Sequence, residues 1–174
     1  MAVTLTVGTN TYISLADAKT YFGTRLYADV WTAATDDNKS IALIMATSKI
    51  DRLKLRGQKA IYDQALQFPR AFYLGDRYNR KIGLTIDNVR GAGWYVETVT
   101  SNAVKNAVCE EAIAILAGGA NADKRQKLQQ QGVKSFKLGN LQEEYSGAGA
   151  SETLLSLQAK QYLLKYLAGV VPIC

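Results

Sequence analysis

Ten basic side chains fall within residues 49–90 of this 174-residue chain: Lys49, Arg52, Lys54, Arg56, Lys59, Arg70, Arg77, Arg80, Lys81 and Arg90. Only Asp51, Asp63, Asp76 and Asp87 oppose them, so the segment holds a net +6, the formal charge of the whole chain. The flanks cancel. Tyr62, Phe68, Phe72, Tyr73 and Tyr78 interleave with these cations. Cations neutralise phosphates and aromatic rings stack on bases, so the pattern is one that single-stranded nucleic acid could use. A surface of this charge equally suits an acidic protein partner or plain solvation. Phe68, before Pro69 in an apolar setting, reads instead as core. Lys54, Arg56, Arg77, Arg80, Lys81 and Arg90 are the candidates for a functional basic patch.

Little else in the chain suggests bond-making chemistry. Histidine is absent, which removes the commonest general base and the commonest metal ligand together. Cys109 lies inside a helical pattern and Cys174 is the last residue, so neither a structural disulfide nor a Cys/His zinc site is expected. No nucleophile–base pair, phosphate loop or metal motif is evident, and the expectation is a protein without enzymatic activity or cofactor. No run approaches the roughly 20 apolar residues that span a bilayer. The start, Met1 to Val7, lacks the pattern of a signal peptide, so a cytoplasmic, membrane-free life is expected. Tyrosine outnumbers the other aromatics, with 10 Tyr against 4 Phe and 2 Trp. That balance suits a core edge, and equally a surface buried only on assembly.

The elements that would position these residues are mainly helical. Residues 1–11 read as a short strand or extended arm and a turn at Gly8-Thr9-Asn10. Ser14, with Asp17 three residues on, resembles a capping box. From it a helix is expected to about Leu26, with Leu15, Ala18, Phe22 and Leu26 on one face. Thr35-Asp36-Asp37 opens a second helix that is apolar on most sides and reads as the central one, ending near Gly57. Residues 58–67 suggest one or two helical turns, and Pro69 forces Phe68 towards an extended conformation. A long segment, 71–100, contains strand-like stretches at 82–86 and 94–99. A third helix is expected from Ser101 to Gly118-Gly119, followed by a polar linker or helix extension to Gln131.

Two further segments are candidates for contacts. Residues 133–138 and 141–145 flank Gly139-Asn140, which suits a two-residue hairpin loop. Lys134, Phe136 and Lys137 stand on one arm, and Glu143, Glu144 and Tyr145 on the other. Pairing within one chain or between subunits would satisfy them. After the hinge-like Ser146-Gly147-Ala148-Gly149-Ala150 comes an apolar helix, 151–168. Its Leu154, Leu155, Tyr162, Leu163, Tyr166 and Leu167 could dock on a partner or fold back on the chain's own bundle. The fold class is therefore mainly α: a small helical bundle (1–120, with the 71–100 insertion), a linker and β-hairpin (121–150), and a hinged C-terminal helix (151–174).

Taken together, Thr11-Tyr12-Ile13-Ser14-Leu15-Ala16-Asp17-Ala18, the Gln64-to-Arg70 segment ending in Phe68-Pro69-Arg70, and the Gly132-to-Tyr145 hairpin resemble a family of tailed-phage proteins. These are head–tail adaptors, also labelled DnaT-like single-stranded-DNA-binding proteins. The resemblance covers most of the chain, apart from the long 71–100 segment. It implies a dodecameric ring of subunits between the portal protein and the next neck or tail component. Genomic DNA would pass through its channel. The implied location is the virion neck, after assembly in the host cytoplasm, and the implied portal-binding element is the C-terminal helix. The alternative implied by the second label is single-strand binding through residues 49–90.

Overall fold

The computed structural model describes residues 3–73, 94–130, 135–138, 141–144 and 154–169. The strand-like stretch 82–86, the hinge 146–150, Arg77, Arg80, Lys81, Arg90, Lys134 and Tyr145 lie outside them. The chain forms a mainly α domain with a three-stranded antiparallel sheet and a β-hairpin.

Helix α1 spans Leu15–Gly23. The Ser14 hydroxyl oxygen accepts the Asp17 N–H at 3.1 Å and donates to the Asp17 carboxylate at 2.8 Å, so the capping pair holds the first turn. The helix ends three residues earlier than its periodicity suggests. Leu26 is exposed, because Thr24 and Arg25 turn the chain back onto the Tyr21 and Phe22 carbonyls. A short helix α2, Asp29–Ala33, follows and inserts Trp31, which stacks on Phe22 at 4.2 Å. Helix α3, Asp36–Asp51, is capped by Thr35, whose hydroxyl oxygen accepts the Asn38 N–H at 3.3 Å. Its inner face is Ala42, Leu43, Ala46 and Ile50; its outer face leaves Ile41 and Met45 exposed.

The central helix is α4, Asn102–Gln130, and not α3. Every residue from Ala107 to Ile113 is buried, as expected of a helix enclosed on all sides. Helix α3 packs on it, and so does the C-terminal helix α5, Leu157–Leu163. Small residues such as Ala46, Ala107 and Ala112 let these axes approach. Each fully buried Leu43, Ile50, Val108 or Leu163 contributes about 1.5–3 kcal/mol through apolar burial. Helix α4 also continues through Gly118-Gly119, where the sequence pattern predicts its end. A glycine inside a helix costs about 1 kcal/mol relative to Ala. Here the helix is already formed by the preceding turns and continues into Ala, Lys, Arg and Gln, all good helix formers.

Residues 58–67 are not helical. Gln58–Lys59 form strand β1, which pairs antiparallel with β2, Arg70–Tyr73; β2 pairs in turn with β3, Trp94–Val96. Two features impose this. Gly57 sits at φ +72°, where a Cβ would come within 2.3 Å of the Ala71 carbonyl oxygen. The Arg70 guanidinium gathers the carbonyl oxygens of Arg56 at 2.7 Å, Gly57 at 2.8 Å and Gln67 at 3.2 Å. The Phe68–Pro69 peptide bond is cis. Phe68 itself is core, edge-on to Tyr12 and Tyr166. Strands β4, Ser135–Leu138, and β5, Leu141–Glu144, pair within the chain, Leu138 opposite Leu141 and Phe136 opposite Glu143.

Candidate functional site

A groove of about 320 Å³ lies beside the three-stranded sheet. Its floor is Phe72 of β2 and Tyr95 of β3. They stand opposite one another in register, with ring centroids 6.4 Å apart and planes 20° from parallel. Arg56, Tyr73, which is 60% exposed, and Lys165 from the C-terminal turn also line it. Lys165 Nζ lies 4.6 Å above the Tyr166 ring, so its charge rests on the groove's own wall. The one carboxylate present, Glu97, is already engaged. It accepts the Tyr166 hydroxyl at 2.6 Å and the Arg70 N–H at 3.3 Å, and the Arg70 charge acts on it favourably. Burial and the Glu97 hydrogen bond push the Tyr166 hydroxyl well above the usual tyrosine range, which keeps it neutral and donating.

Among the described residues of the basic segment, the cations do not form one surface. Arg70 is buried and acts as a scaffold for the carbonyls around it; burial lowers its pKa from the usual guanidinium value. Lys49 reaches the Glu111 carboxylate at 3.3 Å, and Lys59 donates to the Gln64 carbonyl at 2.9 Å. Arg52, Lys54 and Arg56 are exposed. Of the six patch candidates, Lys54 and Arg56 therefore stand on the described surface, and only Arg56 lines the groove.

The C-terminal segment is seated on its own chain. The recognisable helix begins at Leu157, with Ser156 as N-cap accepting the Ala159 N–H at 3.1 Å, and passes into a 3₁₀ turn at Leu164–Tyr166. Leu163 and Tyr166 are fully buried, while Leu154, Tyr162 and Leu167 are half-buried against the core. Of the six residues proposed for a partner, Leu155 is exposed. The contacts are polar as well as apolar. Glu111 accepts the N–H groups of Leu155 at 3.0 Å and Ser156 at 2.9 Å. Arg56 N–H donates to the Tyr166 carbonyl at 2.7 Å, Ala168 N–H to that of Lys54 at 2.9 Å, and Leu55 bridges Leu167. What α5 presents outward is a different stripe, Leu157, Lys160, Gln161 and Leu164, all exposed.

Two more buried polar clusters are structural in character. Arg25 grips Glu110 with both prongs, at 2.6 and 2.9 Å, and Tyr21 donates to the same carboxylate at 2.7 Å. Tyr12 donates to Asp51 and accepts the Phe68 N–H at 3.1 Å. Burial pushes the Cys109 thiol up to about 12, the value of an inert core filler. In the hairpin, Lys137 stands opposite Gln142 and diagonal to Glu144, so the opposed charges are offset in register. Among the described residues no group of three or more Cys, Asp or Glu is placed to hold a metal ion, and no helix is long and apolar enough to cross a membrane.

The groove was not found from sequence because Arg56, Tyr73, Tyr95 and Lys165 come from four separate places. The signal available was weak: Tyr95 in an alternating strand and Lys165 on a C-terminal stripe.

These features describe a small mainly α domain whose surface joins an aromatic, basic groove to exposed apolar helix faces. Residues 3–171 match a family described as "Putative DnaT-like ssDNA binding protein", and the chain belongs to that family. No curated protein and no solved structure matches it.

Proposed function

We propose that the protein is a non-enzymatic head–tail adaptor of a tailed phage, assembling as a ring between the portal and the next neck component and lining the DNA path. The observation that carries this reading is the placement of exposed apolar side chains on two separate helices. Ile41 and Met45, four residues apart, stand on the outer face of α3. Leu157 and Leu164, seven apart, stand on that of α5 and the turn after it. Two unlike apolar faces on one subunit suit a head-to-tail contact, and a ring is the closed solution of such a contact. The resemblance of the N-terminal, Phe68-Pro69-Arg70 and hairpin segments to phage adaptors supports the same reading. Portal binding through α5 would use its outer stripe, because Leu163 and Tyr166 are committed to the core.

Single-strand binding through the whole 49–90 segment is less well supported. Arg70, Lys49 and Lys59 already hold groups of their own chain.

Complementary blocking tests the ring. Ile41→Glu disables one face and Leu164→Glu the other, and both residues are exposed, so the fold should survive. Each variant alone should fail to assemble, by native mass spectrometry with portal protein as template. Mixed, they should give a one-to-one dimer and nothing larger. Unimpaired assembly by either variant would refute the assignment of faces.

A further inference from the structure

We infer that the loop carrying Leu26 and Tyr27 on one copy of this chain docks into the Phe72–Tyr95 groove of the next, with Asp29 paired to Lys165 and Arg56. This contact deepens the adaptor reading and rests on its premise that copies of the chain meet head to tail.

The loop is built to present its side chains. Tyr27 sits at φ +57°, in the left-handed region that a bulky side chain rarely adopts. Arg25 holds it there. Its Nη1 donates to the carbonyls of Leu26 at 3.0 Å and Tyr27 at 3.1 Å, while the buried Glu110 carboxylate anchors the rest of the guanidinium. Strain of this kind persists only where the surroundings impose it, and it gathers at functional surfaces. Its result here is that two large apolar side chains stand in water, Leu26 79% and Tyr27 88% exposed, with Val30 also exposed.

The groove offers the complement. At about 320 Å³ it admits one tyrosine ring. Phe72 and Tyr95, opposite one another on one face of the sheet, give that ring an aromatic floor. The charges also match. Arg56 and Lys165 are exposed at the groove and Asp29 is exposed at the start of α2. Among the described residues none of the three has an ion-pair partner. Loop and groove are separate surfaces of the subunit. The loop is anchored at Glu110 and the groove wall at Ser101, which accepts the Tyr166 hydroxyl at 2.8 Å; along α4 these stand about 13 Å apart. A contact between two such surfaces joins different copies and is heterologous. Leu164, next to Lys165, continues the groove into the outer α5 face already assigned to the ring.

The test is sedimentation equilibrium of the full chain at low and high salt, repeated with portal protein as template. Tyr27→Gly removes the ring and suits the positive φ, so it should raise or keep the melting temperature while weakening association about tenfold. Asp29→Lys and Lys165→Glu should each weaken association by a similar factor, and the double variant should recover most of it. In assembled wild type, a zero-length carbodiimide crosslink should join Asp29 to Lys165. Association unmoved by Tyr27→Gly, no recovery in the double variant, or a wild type monomeric both alone and with portal protein would overturn the inference. A portal-templated ring that tolerates Tyr27→Gly would end this contact and keep the adaptor reading. Association that needs Tyr27 but ignores the portal would keep the contact and end that reading.

Discussion

The carboxylate of Glu111, wholly buried in the middle of α4, accepts the backbone N–H of Ser156 at 2.9 Å, 45 residues further along the chain. Its other oxygen accepts the Leu155 N–H and meets Lys49 of α3. One side chain thus fastens the start of the C-terminal helix and the second major helix to the central one. A buried carboxylate is tolerable here because its oxygens are all matched by donors. Glu111→Ala would strand Lys49 and two N–H groups, and should lower unfolding free energy by about 3–5 kcal/mol in a urea titration. A loss below about 1 kcal/mol would show that the C-terminal segment is not held this way in solution.

Gly57 is fixed by geometry on both counts that matter. Its φ of +72° disfavours any side chain, and a Cβ would meet the Ala71 carbonyl oxygen, a backbone atom that cannot swing aside. Gly57→Ala should destabilise by more than about 1 kcal/mol and disturb the β1–β2 pairing that shapes the groove. Denaturant midpoints of the variant and wild type check this directly.

Asp51 should give stability a pH dependence. Burial raises its carboxyl above the usual 3.8, outweighing the Tyr12 hydrogen bond, which lowers it. The folded state therefore keeps the proton to higher pH than the unfolded chain does. Its contribution is full below the unfolded value and declines as pH rises through the folded one. Asp51→Asn removes that titration. Denaturant midpoints from about pH 3 to pH 7 should move in the variant's favour relative to wild type as pH rises. A constant gap would contradict the assignment.

Cys109 should be silent. With the thiol pushed up to about 12 and no exposed surface, reaction with a disulfide reagent requires opening of the core. In a Cys174→Ser background, native protein should react slowly and denaturant should release the thiol at once. Fast native labelling would mean that α4 is not enclosed as described.

Sequence reading reached the local features of this fold better than the distant ones. Ser14 and Thr35 both cap helices, because N-capping is decided within four residues. The mainly α class and the pairing of β4 with β5 were legible for the same reason. Which helix is central was not legible. The apolar count favoured α3, but burial follows neighbours in space, and Glu110 and Glu111 disguise α4 as a surface helix until Arg25, Lys49 and two backbone N–H groups are seen to satisfy them. Arg70 was misleading in the same sense. A cation in a basic segment looks like a phosphate ligand, yet its guanidinium closes three carbonyls of a turn. Helix α2 has five residues, too few for a period, and was not anticipated from the sequence. The C-terminal apolar stripe was recognised, but whether it faces the chain's own core or a partner depends on contacts that span 40 or more residues.

The measurement that bears most directly on the central proposal is native mass spectrometry of the full chain, alone and with purified portal protein. A closed ring, or a defined set of copies on the portal, is the predicted result, and Leu164→Glu should abolish it. A chain that stays monomeric in both conditions would contradict the adaptor assignment.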